Sequence, residues 1–132
     1  MSGWAVIPAI RVRDMAETID FYQRVLGFDL NRGGPDGENS SISRGDAQIM
    51  VETPADFYSP EYNAAIVNRL DSVSPVALYI EAPDLEDLFH KVGEAGVTIV
   101  DPLAERPWGQ AEFTIEDPHG NWLTFWKATE TE

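Results

Sequence analysis

A chain of 132 residues, 43% of them apolar and 11% aromatic, has enough hydrophobic surface for one packed domain or for two small halves that share a core. It contains no cysteine, which excludes disulfides, thiolate zinc sites and a cysteine nucleophile. With 23 acidic and 9 basic residues the net charge is −14, which argues against nucleic acid as a partner and is compatible with a cationic ligand or with simple solubility.

The N-terminal segment lacks the features of an export signal. It reads MSGWAVIPAIRVRD, with no basic stretch before an apolar run and no cleavage-site pattern. No apolar run elsewhere approaches the roughly 20 residues that span a bilayer. The sequence therefore predicts a cytoplasmic protein with no membrane partner.

The first predicted elements are a short strand and a helix. The stretch AIRV precedes Asp14, which is suited to cap a helix, and Glu17 follows three positions later as in a capping box. Apolar residues then recur at spacings of three and four, and Gly27 is suited to the left-handed conformation that ends a helix. These apolar positions are Ile19, Tyr22, Val25 and Leu26. The turn-rich stretches NRGGPDGENS and RGD then separate three further strands.

A linker follows, within residues 54–74. Pro60 suits the first position of a helix, and Ala64 to Leu70 can form a short one.

The second half repeats the pattern of the first. Asp84 opens a helix with Asp87 three positions later, and Gly96 ends it. The apolar positions of this helix are Leu85, Leu88, Phe89 and Val92. Asp117-Pro118-His119-Gly120 then forms a turn between two strands, since Pro fixes φ and Gly permits a positive φ.

These elements predict an α+β fold of two tandem βαβββ modules within a single domain that spans residues 1–132. The first module covers residues 5–53 and the second covers residues 75–127. We expect the curved mixed sheets of the two modules to form a shared cleft, either within one chain or across a homodimer.

Several of these stretches carry a family resemblance. They are RVRD at residues 11–14, IDFY with VLGF at 19–28, and WG followed by DPHGN at 108–121. Together they resemble the superfamily of glyoxalases, bleomycin-resistance proteins and ring-cleaving dioxygenases, also called vicinal oxygen chelate proteins, over roughly residues 5–127. Members isomerise, cleave rings, add thiols or only bind drugs, so the resemblance predicts the fold and leaves the activity open.

The resemblance also indicates where a metal would bind. Metal-using members place His, Glu or Gln at four positions that face the cavity. In this sequence the four positions fall at Ile7, Met50, Pro75 and Thr124. These side chains offer almost none of the oxygen or imidazole nitrogen that a divalent ion prefers. A slip of one or two residues brings in only Gln48 and Glu52 as donors, both on one strand, so we expect neither a metal nor another cofactor.

The two histidines do not suggest a site either. His90 lies within the second predicted helix and is expected on its solvated surface. His119 is the third residue of the DPHG turn and is expected to face water, with a hydrogen-bonding role at the cleft rim as the alternative.

Strand alternation predicts what lines the cavity instead. If Thr124 faces it, Trp122 and Trp126 do so too, and large flat rings then stand beside apolar residues. The predicted ligand-binding residues are Ile7, Arg11, Met50, Glu52, Tyr79, Trp108, Trp122, Thr124 and Trp126, with Trp108 on the rim. As alternatives, the Trp and Met side chains fill the cavity or a dimer interface, and Arg11 forms an ion pair with a neighbouring carboxylate.

The favoured function is metal-free, non-catalytic binding that sequesters a planar, cationic organic ligand or antibiotic. Glu52, with Asp56 and Glu61, could pair with ligand amines, and no residue is assigned a catalytic role. One alternative is a metal-dependent lyase, isomerase or dioxygenase with atypical ligands. Another is a protein-interaction module with a filled cleft, which would use Trp108 and the linker aromatics Phe57, Tyr58 and Tyr62.

Overall fold

The computed structural model describes residues 7–70 and 77–129, and the chain divides into two compact units, 1–74 and 75–132. The strands are β1 Ala9–Arg11, β2 Asp29–Arg32, β3 Asn39–Arg44, β4 Ala47–Glu52, β5 Ala77–Glu81, β6 Ile99–Arg106, β7 Gln110–Glu116 and β8 Trp122–Ala128. The helices are α1 Met15–Asp20, α2 Pro60–Leu70 and α3 Leu85–Glu94, and α1 continues into a π-helical turn, Phe21–Val25. The α+β fold with a repeated βαβββ order is confirmed.

The two sheets have the same topology. Unit 1 has the strand order β1-β4-β3-β2, and unit 2 has the order β5-β8-β7-β6. In each sheet the first strand is parallel to the last, and the remaining neighbours are antiparallel. A parallel pair needs a long crossover connection, and each module supplies one that contains its helix.

The first helix begins and ends as the sequence predicts but changes pitch between the two points. The Asp14 carboxylate accepts a hydrogen bond from the Glu17 amide at 3.0 Å, and Gly27 has a φ of 76°. After Asp20 the turns widen, and the Leu26 amide donates to the Phe21 carbonyl at 3.3 Å. The sequence predicted one uniform helix, because the spacing of its apolar residues fits both pitches.

The linker helix, α2, begins at Pro60, as predicted, and continues without a break through the predicted stretch Ala64 to Leu70. The Ser59 hydroxyl accepts a hydrogen bond from the Tyr62 amide at 3.1 Å. Ser59 therefore acts as the N-cap and Pro60 as the first helical residue, so the helix starts ahead of its apolar pattern.

The core of each unit lies on one face of its sheet. Ile10, Val51 and Ile42 of unit 1, and Leu123 and Phe125 of unit 2, are almost fully inaccessible. Burial of such a side chain contributes about 1.5–3 kcal/mol. In unit 2 the ring of Phe89 from α3 lies 5.1 Å from that of Phe113, which in turn lies 5.6 Å from that of Phe125. These contacts leave the opposite face of each sheet for other roles.

No helix within residues 7–70 and 77–129 has both the length and the apolar composition that crossing a bilayer requires.

Candidate functional site

The face of the unit 2 sheet opposite the core carries most of the predicted aromatic residues. Trp122, Thr124 and Trp126 alternate along β8 with residues of the core, so they share this face. The strand register places Tyr79 of β5 beside Thr124. We call this surface the aromatic face; it consists of Tyr79, Glu81, Glu112, Thr114, Glu116, Trp122, Thr124 and Trp126.

Large rings on this face are accessible to solvent. Tyr79 is 67% exposed and Trp122 is 43% exposed, and Trp126 is half-buried. Clustered exposed aromatic groups are typical of binding surfaces, whereas isolated ones are common on any protein. The prediction that these three residues share one sheet face is therefore confirmed, and their role in binding remains a proposal.

Carboxylates stand on both sides of Trp126. Its register partners are Glu81 on β5 and Glu112 on β7. Glu81 is exposed, whereas Glu112 is buried and accepts hydrogen bonds from Trp108 Nε1 at 3.2 Å and Gln110 Nε2 at 3.0 Å. Glu112 Oε2 also lies 4.0 Å from Arg106 Nε, so the exposed Glu81 is the carboxylate beside Trp126 that is available to a cation.

Sequence reasoning missed Glu81 and Glu112. Along β7, Glu112, Thr114 and Glu116 alternate with apolar Ala111, Phe113 and Ile115. This alternation was available as a signal and would have put the two glutamates of β7 on the same face as the tryptophans.

Thr124 is one of the four positions to which the resemblance assigns metal ligands in metal-using members. It is buried, and its hydroxyl lies 2.7 Å from that of Thr114 on the neighbouring strand. This pairing satisfies both hydroxyls within the sheet.

Trp108 lies in the turn between β6 and β7, beside Gly109, which has a φ of 89°. Its ring is 63% exposed, and its hydrogen bond to Glu112 fixes the orientation of the indole. Its expected place on the rim of a cavity stays a prediction.

The corresponding face of unit 1 is polar. Arg11, Met50 and Glu52 alternate with buried Ile10 and Val51, and β3 adds its own polar residues. We call this surface the polar face; it consists of Arg11, Asn39, Ser41, Ser43, Gln48, Met50 and Glu52. Gln48 Nε2 donates to Ser41 Oγ at 2.8 Å, so part of the face is already hydrogen-bonded.

Glu52 is the centre of a buried network. It is 2% exposed, and its Oε1 accepts from the Tyr58 hydroxyl at 2.8 Å. Its Oε2 accepts from the Tyr62 hydroxyl at 2.7 Å and lies 3.0 Å from Arg11 Nε. Burial is the main cause that raises the pKa of Tyr58; the hydrogen bond to Glu52 raises it further, while the bond from Asn39 opposes the rise.

This network bears on two predicted ligand-binding residues. The alternative interpretation of Arg11, an ion pair with a neighbouring carboxylate, is present in the structure. Glu52 is 2% exposed and already has three partners, so the accessible Glu81 is better placed to pair with a ligand amine.

The histidines lie outside both faces. His90 is exposed on α3, and its Nε2 is 3.3 Å from Glu94 Oε2, which confirms the predicted surface position. His119 was expected to face water, which is wrong: the residue is half-buried and its Nε2 is inaccessible. The Asp117 side chain closes this turn, because its Oδ1 accepts hydrogen bonds from the His119 and Asn121 amides, each at 2.9 Å.

The residues present do not suit a divalent ion. Within residues 7–70 and 77–129, no three His, Cys, Asp or Glu side chains are grouped closely enough to hold one. Of the four positions taken from the resemblance, Met50 lies on β4, Thr124 on β8, and half-buried Ile7 just before β1. Pro75 lies outside the described residues.

Comparison with known proteins identifies the family to which this fold belongs. The family model for the glyoxalase/bleomycin resistance protein/dioxygenase superfamily matches residues 5–125. The chain belongs to this superfamily. An uncharacterized protein of Mycobacterium bovis is 26% identical to this chain over 123 residues, which are 89% of this chain and 78% of the relative.

Solved structures share the superfamily fold. TioX from Micromonospora sp. ML1 is 20% identical, with a TM-score of 0.75, over 98% of this chain and 99% of that one. The bleomycin-binding protein from bleomycin-producing Streptomyces verticillus, solved with copper(II)-bleomycin, is 22% identical, with a TM-score of 0.62, over 100% of this chain and 99% of that one. At these identities the likeness establishes a common fold.

Proposed function

We propose that this protein binds a small, flat, positively charged organic molecule on the aromatic face of unit 2 and holds it without changing it chemically. The observation that carries the proposal is the position of Trp126 between Glu81 and Glu112, with Tyr79 and Trp122 on the same face.

Aromatic side chains favour a flat ligand. Stacking of two rings contributes about 0.5–1.5 kcal/mol beyond the burial of surface. A cation over an indole adds about 0.5–2 kcal/mol. Two accessible rings and one half-buried ring on a single face can therefore supply useful affinity for a planar cation.

Charge supports the same class of ligand. Glu81 is exposed next to Trp126, and its carboxylate forms no ion pair or hydrogen bond with any of the described residues. The net charge of −14 raises the concentration of cations near the whole surface. The local carboxylate and the overall charge thus favour the same sign.

The chemistry of the described metal positions supports binding rather than metal-dependent catalysis. Ile7, Met50 and Thr124 supply a hydrocarbon, a thioether and a hydroxyl that is already hydrogen-bonded. The fold shared with a bleomycin-binding protein supports an antibiotic as one kind of ligand.

The test is a titration of the intrinsic tryptophan fluorescence of the full chain with metal-free bleomycin and with a cationic acridine dye. We expect saturable quenching by at least one of them. Absence of quenching by either up to millimolar concentrations contradicts the proposal. Neutral acridone is the matched control, and it should bind more weakly than the cationic dye.

A further inference from the structure

The segment that leaves β4 and leads to α2 has few backbone bonds to the sheet. We call residues Thr53–Tyr62, which include the first turn of α2, the strap. At its start the Thr53 amide donates to the Glu38 carbonyl at 3.0 Å. Beyond this point the described hydrogen bonds of the strap backbone stay within the strap or go to the rest of α2. For example, the Ala55 amide donates to Asn63 Oδ1 at 2.9 Å, and the Ala55 carbonyl accepts from Asn63 Nδ2 at 2.8 Å.

Little apolar burial holds the strap either. Among Pro54–Tyr62 the one buried residue is Ala55, and Phe57 is 65% exposed. The rings of Phe57, Tyr58 and Tyr62 contact one another, with centroids 4.7 and 4.5 Å apart. Segments with few buried contacts and few backbone bonds to their neighbours open at lower free-energy cost than the core.

Two phenol hydroxyls fasten this segment to the sheet. Tyr58 and Tyr62 both donate to the Glu52 carboxylate, and Asn39 Nδ2 donates to the Tyr58 oxygen at 3.0 Å. Asn39 and Glu52 are register partners on the polar face. The attachment of the strap therefore depends on one buried carboxylate that is reached from two points.

We infer that the strap is a cover that opens as a unit from the polar face of unit 1, with Glu52 as its latch. In the closed state the phenols satisfy the carboxylate. In the open state water replaces them, while Arg11 remains paired with Glu52, so the cost of opening is modest. Opening exposes Asn39 and Glu52 to water and makes the hydrogen-bonding groups of the polar face accessible.

Hydrogen exchange of the full chain tests the latch. In the wild type we expect the amides of Ala55 and Tyr58 to exchange at least tenfold faster than those of β4, because the strap opens without unfolding the sheet. In a variant with Tyr58→Phe and Tyr62→Phe, the strap amides should exchange faster still, by about ten- to a hundredfold for each hydroxyl lost. The β4 amides should change less than threefold.

The control is Tyr79→Phe, which removes an exposed hydroxyl on the other unit and should leave strap exchange unchanged. Equal exchange of the strap and β4 in the wild type would overturn the inference, even if the double variant failed to fold. Acceleration of strap and β4 amides together in Tyr62→Phe alone would also overturn it. A failed fluorescence titration with the acridine dye would instead refute the proposed function and leave the exchange result standing.

Discussion

Replacing Glu81 with Gln on the aromatic face gives the sharpest test of how charge selects the ligand. The change keeps the size of the side chain and removes one negative charge from the residue beside Trp126. Neighbouring strands are about 5 Å apart. At that distance and in a water-like environment, a charge pair contributes about 1 kcal/mol. Because Glu81 is exposed, the water value applies, and a cationic acridine dye should bind about fivefold more weakly.

The indole ring of Trp126 should contribute more to dye affinity than the charge of Glu81. Trp126→Leu removes stacking and cation–π attraction together, so affinity for the same dye should fall by about 1–3 kcal/mol, or roughly 5- to 150-fold. Isothermal titration calorimetry is the assay, since the substitution also removes a fluorophore. Combining the two substitutions gives a double-mutant cycle, whose interaction energy reports whether the carboxylate and the indole act on one ligand group.

Glu105→Gln is the matched control. Glu105 is exposed on β6, and its register partner is Ala111, which lies on the core side of β7. Its replacement changes the net charge equally but leaves the aromatic face intact. If Glu81→Gln and Glu105→Gln weaken dye binding equally, the effect is that of overall charge, and the assigned role of Glu81 is refuted. Added salt should reduce the effect of Glu81, because it screens exposed charges.

Three further predictions concern the latch, the turn and the metal. The phenol of Tyr58 has a raised pKa, first because of burial, so the folded protein keeps this proton where the unfolded chain has released it. Stability measured with urea should thus be maintained below about pH 10 and fall above it. Tyr58→Phe should flatten this alkaline decline, and an unchanged decline would show that other groups cause it. Asp117→Ala removes the acceptor of three hydrogen bonds in the DPHG turn and should lower the free energy of unfolding by about 2–4 kcal/mol. Asp46→Ala, in the exposed turn before β4, should cost about 0.5 kcal/mol or less, so equal losses would contradict the role of Asp117. Protein purified without chelators should carry far less than one divalent ion per chain by elemental analysis, whereas a stoichiometric ion would favour the lyase or dioxygenase alternative.

Local patterns predicted the modules well because their causes are local. The side chain of Asp14 and the positive φ of Gly27 act within one turn of their own helix, so the helix limits could be placed from a few letters. Strand alternation placed Trp122 and Trp126 on one face for the same reason, since the pleat repeats every two residues.

The candidate site was only partly predictable. Glu81 and Glu112 flank Trp126 because of strand register, which depends on pairing between distant segments. The bonds from Tyr58 and Tyr62 to Glu52 depend on how the strap folds back on the sheet. A linker rich in aromatics was visible in the sequence, but its letters do not say which carboxylate the hydroxyls reach. The homodimer stays a prediction.

The sequence by itself determined the superfamily and the doubled βαβββ order, because residue type and short-range spacing decide these properties. Tertiary structure alone decided that Glu52 is enclosed by two phenols and a guanidinium while Glu81 remains accessible. The physical reason is that the availability of a carboxylate to a ligand depends on its partners and its exposure to water, and contacts between segments distant along the chain set both.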